Sequence, residues 1–239
     1  MNHQERSCRI LLIDEHPVVR EGIKSILRQD NALGVCGEAD GLRSSLSLWD
    51  ELKPDLALVE IALRDADGLD LVRRLHARDQ RVPILVVSGH EERLFAERAL
   101  TAGARGYISK RAAPRELLLA VNTVSRNTIY LSEEIKNQML TRVTGRNGNG
   151  NGNGPERQSR LNRLSDRELE VFRLLGQGRT TNEIATLLRL SRKTVETHRL
   201  HIRDKLSLTD GNKLIQAATH FVLDENRFDQ IEDNPPETV

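Results

Sequence analysis

The chain has 239 residues, 38% of them hydrophobic, with two cysteines and a formal net charge of +1. That length leaves room for two small domains with cores of their own, and the near-neutral balance by itself selects no partner. No run approaches the roughly 18 apolar residues of a membrane span, the polar start Met1 to Arg6 leads into an apolar run too short for a signal peptide, and Cys8 and Cys36 form neither a CxxC pair nor a metal-ligand spacing. A cytoplasmic protein without membrane contact is expected, with both cysteines serving as packing residues.

From the N-terminus, short apolar runs alternate with amphipathic stretches. Ile10 to Ile13 precedes Val18 to Leu27, Val35 to Cys36 precedes Leu42 to Leu52, and Leu56 to Val59 precedes Leu69 to Leu75. The pattern continues with Ile84 to Val87, Leu94 to Leu100, Tyr107 to Ile108 and Leu117 to Val124. Five strand-helix units predict an α/β domain, residues 1–126, with a doubly wound, five-stranded parallel sheet of flavodoxin-like type. Next, Ser132 can cap a helix over 132–143 with Ile135, Met139, Leu140 and Val143 on its apolar side. Residues 147–154 repeat Asn-Gly four times, the composition of a flexible coil, so 127–160 reads as an interdomain segment.

Beyond it, residues 161–223 are helical in period throughout. Ser165-x-x-Glu168 and Thr180-x-x-Glu183 fit capping boxes, and Ser191 and Asp210 can cap two more helices. Four short helices in about 60 residues suit a small all-α helix-turn-helix domain. From Pro155 to Leu223 there are thirteen Lys and Arg against eight Asp and Glu, whereas Asp224 to Val239 holds one Arg against six acids. A basic module seeking an anionic partner is thus followed by an acidic tail, 224–239, expected to be disordered.

In an open parallel sheet, ligands collect at the carboxyl ends of the strands. Asp14 and Glu15 follow the first strand, Glu60 the third, Ser88 the fourth, and Lys110 comes just after the fifth. Three carboxylates, a hydroxyl and an ammonium would share one cleft, where the acids could hold Mg²⁺ or pair with Lys110. This set, with Asp67-Gly68-Leu69 and Gly106-Tyr-Ile-Ser-Lys110, resembles the receiver domain of bacterial response regulators over roughly Arg9 to Val124. The resemblance implies that Asp14 and Glu15 are metal-binding acids, Ser88 the phosphate-sensing hydroxyl, Lys110 the charge partner and Tyr107 the switch aromatic. It departs at residue 60, where the family's phosphoaccepting Asp is replaced by Glu60. One extra methylene misaligns in-line attack on a phosphodonor. We therefore expect a receiver not switched by ordinary phosphorylation, in which Glu60 either mimics the phosphoryl charge or, in a decayed site, only pairs with Lys110.

The C-terminal segment, about Leu161 to Phe221, resembles the LuxR-type helix-turn-helix that ends NarL/FixJ-type response regulators. The carrying residues are Leu164-Ser-Asp-Arg-Glu-Leu-Glu-Val, Gly178, Glu183-Ile184-Ala185, Leu190-Ser191, Thr194-Val195, His198, Ile202 and Lys205-Leu206. At 100 degrees per residue, Val195, Ile202 and Leu206 share an apolar face, and Lys193, Glu196, Thr197, Leu200, His201 and Asp204 lie on or near the opposite one. Glu196, Thr197 and Leu200 are the candidates for base contacts in the major groove of double-stranded DNA. Arg192, Lys193, Arg199, Arg203 and Lys205 are the candidates for phosphate contacts. His198 falls nearer the buried side and is expected to be a hydrogen-bonded structural residue.

The resemblance implies that the last helix, through Leu214, Ile215 and Ala218, pairs two subunits on promoter DNA; closure of the domain's own core is the alternative. A DNA-binding transcription regulator, not an enzyme, is the expected function; the alternatives are a conventional kinase-phosphorylated regulator that uses Glu60 and an interaction partner that modulates another regulator. The sequence names no sensor kinase partner and leaves Mg²⁺ occupancy open.

Overall fold

A computed structural model describes residues 7–63, 67–143, 161 and 163–232 of the chain. It divides into two compact units, 1–148 and 149–239. The Asn-Gly stretch 147–154 lies outside the described residues.

The first unit builds a five-stranded parallel sheet from β1 (Cys8–Ile13), β2 (Leu33–Ala39), β3 (Leu56–Val59), β4 (Ile84–Ser88) and β5 (Gly106–Ser109), in the order β2-β1-β3-β4-β5. The central strands β1, β3 and β4 are rich in Leu, Ile and Val because both faces of the sheet are covered there. Ile10 to Ile13, Leu56 to Val59 and Ile84 to Val86 are all essentially inaccessible to water. The covering helices are α1 (Pro17–Leu27), α2 (Leu42–Leu52), α3 (Gly68–Arg78), α4 (Glu92–Thr101) and α5 (Pro114–Ser125). Pro17 and Pro114 open α1 and α5, where a missing amide hydrogen costs nothing. Asp67 caps α3, its Oδ1 accepting the Leu69 amide at 2.9 Å. The strand order reverses between β1 and β3, which brings Asp14 and Glu60 together at the switch point.

Gly68 fixes how closely α3 approaches that point. Its amide donates to the Ile61 carbonyl at 3.0 Å, and a Cβ there would fall 2.2 Å from Ile61 Cα and 2.7 Å from the Glu60 carbonyl oxygen. Between β1 and β2 the register slips by one residue: Ile10 faces Val35 and Leu11 faces Gly37, leaving Cys36 as the extra residue of a bulge.

After α5 the chain returns along β5. Tyr130 forms a parallel bridge with Gly106, donating its amide to the Arg105 carbonyl at 2.9 Å and accepting the Tyr107 amide at 3.1 Å. Ser132 then caps α6 (Glu133–Val143) through the Ile135 amide, as its sequence position predicts. Leu131 and Ile135 are buried.

Among its described residues the second unit carries the helices α7 (Asp166–Gly176), α8 (Thr181–Leu187), α9 (Arg192–Lys205) and α10 (Gly211–Glu232). Every predicted cap is present. Ser165 and Thr180 accept the Glu168 and Glu183 amides, with both glutamates reaching back to the capping amides. Ser191 accepts from Thr194, and Asp210 from Lys213. Helix α10 runs to Glu232, into the segment expected to be a disordered tail. Its early turns supply Leu214, Ala218 and Phe221 to a core with Phe172, Leu175, Val195 and Ile202.

Candidate functional site

At the carboxyl ends of β1, β3 and β4 the acidic cleft is built as the sequence order implies. Asp14, Glu60 and Ser88 are buried at 1%, 3% and 0% exposure, so each polar atom needs a partner. Lys110 Nζ lies 2.5 Å from both Asp14 Oδ2 and Glu60 Oε2. The other oxygen of Glu60, Oε1, accepts three hydrogen bonds: Ser88 Oγ at 2.6 Å, the Ile61 amide at 2.6 Å and the Ala62 amide at 2.9 Å. Burial works to lower the Lys110 pKa, but the Glu60 and Asp14 carboxylates outweigh it and hold the ammonium above its ordinary value. The cation therefore stays charged between two buried anions.

Two histidines complete the cleft. His16 donates its amide to Asp14 Oδ1 at 2.7 Å, with Nδ1 3.1 Å from the same atom and Nε2 3.5 Å from Glu15 Oε1. His90 sits against Ser88 Oγ, with Nδ1 at 3.0 Å and its amide donating at 3.2 Å. Tyr107 is fully buried and donates its hydroxyl to the His90 carbonyl at 3.0 Å. Burial drives the Tyr107 pKa well above its usual value, so the phenol remains a donor.

In the second unit, α8 and α9 form the helix-turn-helix. Val195 and Ile202 face the core at 0% exposure, as the helical period requires. Thr197 and Leu200 are exposed and Glu196 is half-exposed, so the three candidate base readers share the solvent side of α9. Arg199 reaches back to α8, donating to Thr181 Oγ1 at 2.6 Å, with Glu196 Oε1 3.7 Å away. Lys205 Nζ donates to buried Glu168 Oε2 at 2.6 Å.

Residues 10–122 match the response regulator receiver domain, and residues 162–218 match the bacterial regulatory proteins of the luxR family. A putative transcriptional regulator of Pseudomonas aeruginosa is 34% identical over 90% of this chain and 99% of its own length. The chain belongs to the LuxR-type response regulators. The response regulator GacA of Pseudomonas aeruginosa is 31% identical over 90% of this chain and 98% of its own. UvrY of Escherichia coli is 31% identical over 87% and 92%. Among solved structures, a two-component response regulator of the LuxR family from Aurantimonas shares 28% identity and a TM-score of 0.54 over 58% of this chain and 99% of that one. Promoter-bound RcsB of Salmonella enterica shares the fold at 21% identity and a TM-score of 0.57, over 90% and 99%. No helix among the described residues is long and apolar enough to cross a membrane.

Several sequence expectations for this response regulator need correction. For Asp14, Glu15 and Glu60, read as acids that could hold Mg²⁺ or pair with Lys110, the fold shows the pairing: the Lys110 ammonium spans Asp14 and Glu60, and His16 engages Asp14 and Glu15. Both oxygens of Glu60 face donors of the chain itself, whereas buried Asp14 Oδ2 has only the Lys110 ion pair at 2.5 Å; among the described residues no group of three such side chains is arranged to hold a metal. Leu214 and Ala218, offered as dimer contacts, are 1% and 0% exposed and close the subunit's own core; Ile215 alone of the three is exposed. His198 is half-buried, and burial lowers its pKa, yet its Nδ1 has no hydrogen-bond partner. The cleft histidines His16 and His90 were not anticipated. Each stands two residues past a cleft residue, His16 after Asp14 and His90 after Ser88, a signal that strand-end reasoning could have used.

The Lys205 contact gives a measurable expectation. Burial pushes the Glu168 carboxyl up, but the Lys205 and Ser165 hydrogen bonds outweigh it and hold the pKa below the ordinary 4.5. A depressed acid stabilises the fold above its ordinary value, and that contribution fades as pH falls through the lowered one. Lys205→Met should therefore destabilise the second unit by about 2 kcal/mol at neutral pH, with the difference from wild type shrinking in unfolding curves recorded below pH 4.

Proposed function

We propose that this response regulator is a sequence-specific DNA-binding transcription regulator that works without ordinary aspartyl phosphorylation, because Glu60 supplies the fixed negative charge. The observation that carries this reading is the double engagement of one carboxylate, with Ser88 Oγ on Oε1 and Lys110 on Oε2. A hydroxyl and an ammonium that would otherwise turn toward a phosphoryl group are drawn to the protein's own acid. Attack on a phosphodonor is further disfavoured, since a carboxylate oxygen carrying three donors, or one held against an ammonium, is a poor nucleophile.

DNA recognition is assigned to α9. Glu196, Thr197 and Leu200 face outward for base edges, where a glutamate can accept from a cytosine amino group and a leucine can touch a thymine methyl. Arg192 and Lys193 are exposed and Arg203 half-exposed, and these serve the phosphates. Lys205, held by Glu168, and Arg199, held by Thr181, fix the helix in place. The protein reads paired half-sites as a twofold dimer, with Ile215 the exposed apolar residue of α10 nearest the buried Leu214. Glu196→Ala should relax the preference at one base pair by about 1–3 kcal/mol. Arg192→Ala should weaken all sequences alike and reduce the slope of log affinity against log salt by about one.

The deciding experiment is binding of untreated full-length protein to a genomic fragment library at near-physiological salt, beside Glu60→Gln. Selective binding by the untreated protein, weakened about tenfold by the neutral variant, is expected, a difference of about 1.4 kcal/mol. Undiminished binding by Glu60→Gln, or a phosphoryl mass increment on Glu60 after incubation with acetyl phosphate, overturns the reading.

A further inference from the structure

We propose that His90 is a positioning residue that passes the arrangement of the Glu60 cleft to α6, the last helix of the receiver before the Asn-Gly stretch. The inference rests on the reading of Glu60 as a fixed charge and extends it to the route by which that charge is felt elsewhere.

His90 meets three groups at once. A serine hydroxyl has one proton, and Ser88 gives it to Glu60 Oε1 at 2.6 Å. The 3.0 Å contact between Ser88 Oγ and His90 Nδ1 must then have the imidazole as donor, which fixes the ring as the Nδ1–H tautomer or the cation. The same residue's carbonyl accepts the Tyr107 hydroxyl at 3.0 Å. Its ring meets Phe95 edge to face, with centroids 5.0 Å apart and planes at 67°. Ring position, backbone position and the cleft hydroxyl are therefore set together.

Both far contacts lead to the segment that starts α6. Phe95 is 3% exposed on α4, the helix that also carries Glu92 and Arg93. Glu92 Oε1 accepts the Ser132 amide at 3.0 Å, serving a backbone donor at the entrance to α6, and Arg93 pairs with Glu134 in its first turn. By the second route, Tyr107 donates its amide to Tyr130, two residues before Ser132. Buried Leu131 and Ile135 lock the segment against the receiver between these polar contacts. A cleft that changes its hold on Ser88 must move His90, and His90 cannot move without disturbing Phe95 or Tyr107. The energetic argument needs only packed groups with few alternative positions.

The test is amide hydrogen exchange on the full-length protein, comparing wild type, Glu60→Gln, His90→Ala and His90→Asn. Asparagine keeps a side-chain N–H able to donate to Ser88, whereas alanine has none. His90→Ala should speed exchange of the Ile135 to Leu140 amides by about tenfold while Leu117 to Val124 in α5 keeps its wild-type protection. His90→Asn should restore most of the α6 protection, and Glu60→Gln should loosen the same amides as His90→Ala. Unchanged α6 exchange in His90→Ala, equal loosening of α5 and α6, or no rescue by asparagine overturns the relay. If Glu60→Gln loosens α6 and His90→Ala does not, the relay fails while the Glu60 reading stands. DNA binding by Glu60→Gln on the same preparation reports separately on Glu60.

Discussion

Replacing Lys110 with methionine is expected to destabilise the receiver by about 3–5 kcal/mol, the cost of leaving buried charges without their partner. Asp14 and Glu60 have side chains 2% and 4% exposed, both 2.5 Å from the ammonium. Without it, two carboxylates face one another in a site with almost no water. Removing the second charge as well should relieve most of the defect, so Lys110→Met with Glu60→Gln should be more stable than Lys110→Met alone. Urea unfolding of the four combinations at pH 7 measures the effect. A double variant no better than the single one would mean that Lys110 acts through packing of its chain and not through charge.

Gly176→Ala is the second large effect, confined to the DNA-binding unit. The end of α7 passes so near α10 that a Cβ at residue 176 would lie 2.2 Å from the Ala218 carbonyl oxygen and 2.7 Å from Val222. The obstacle is backbone, which cannot swing aside like a flexible side chain. Forcing the helices apart should cost about 3 kcal/mol, lowering the midpoint for a domain of this size by roughly 10 °C or more. The Phe172 and Phe221 rings, with centroids 5.6 Å apart across the same helix pair, would be separated too. Thermal unfolding should show one transition moved and the receiver's unmoved. A shift of both would mean that the two units unfold as one.

The elements legible from sequence are those whose signal is local. The central strands β1, β3 and β4 appear as short apolar runs because burial on both faces leaves no room for polar alternation. Ser165, Thr180, Ser191 and Asp210 announce their helices because capping is a contact three residues long. The cleft was legible through topology, since strand ends converge. What escaped is what depends on distance in three dimensions. That Lys205 would serve Glu168, 37 residues away, and leave fewer free cations for phosphate is invisible to helical periodicity. Leu214 and Ala218 read equally well as interface or core, and only the close crossing at Gly176 settles them as core. Acids count as ligands in a sequence, but only the fold shows that Lys110 and His16 lie against the oxygens of the same Asp14, Glu15 and Glu60.

The two ends of the sheet have a consequence for how copies of this protein can meet. An open strand edge is a row of unpaired amides and carbonyls ready to recruit a foreign strand. On one side, Tyr130 lies along β5 and takes up the Tyr107 amide. On the other, the bulge at Cys36 breaks the even spacing of β2, and Glu38 brings Arg20 and Lys24 to that border at 2.9 and 2.5 Å. Neither margin offers the flat ladder that strand addition requires. Extension of the sheet from one molecule to the next is thereby discouraged by construction.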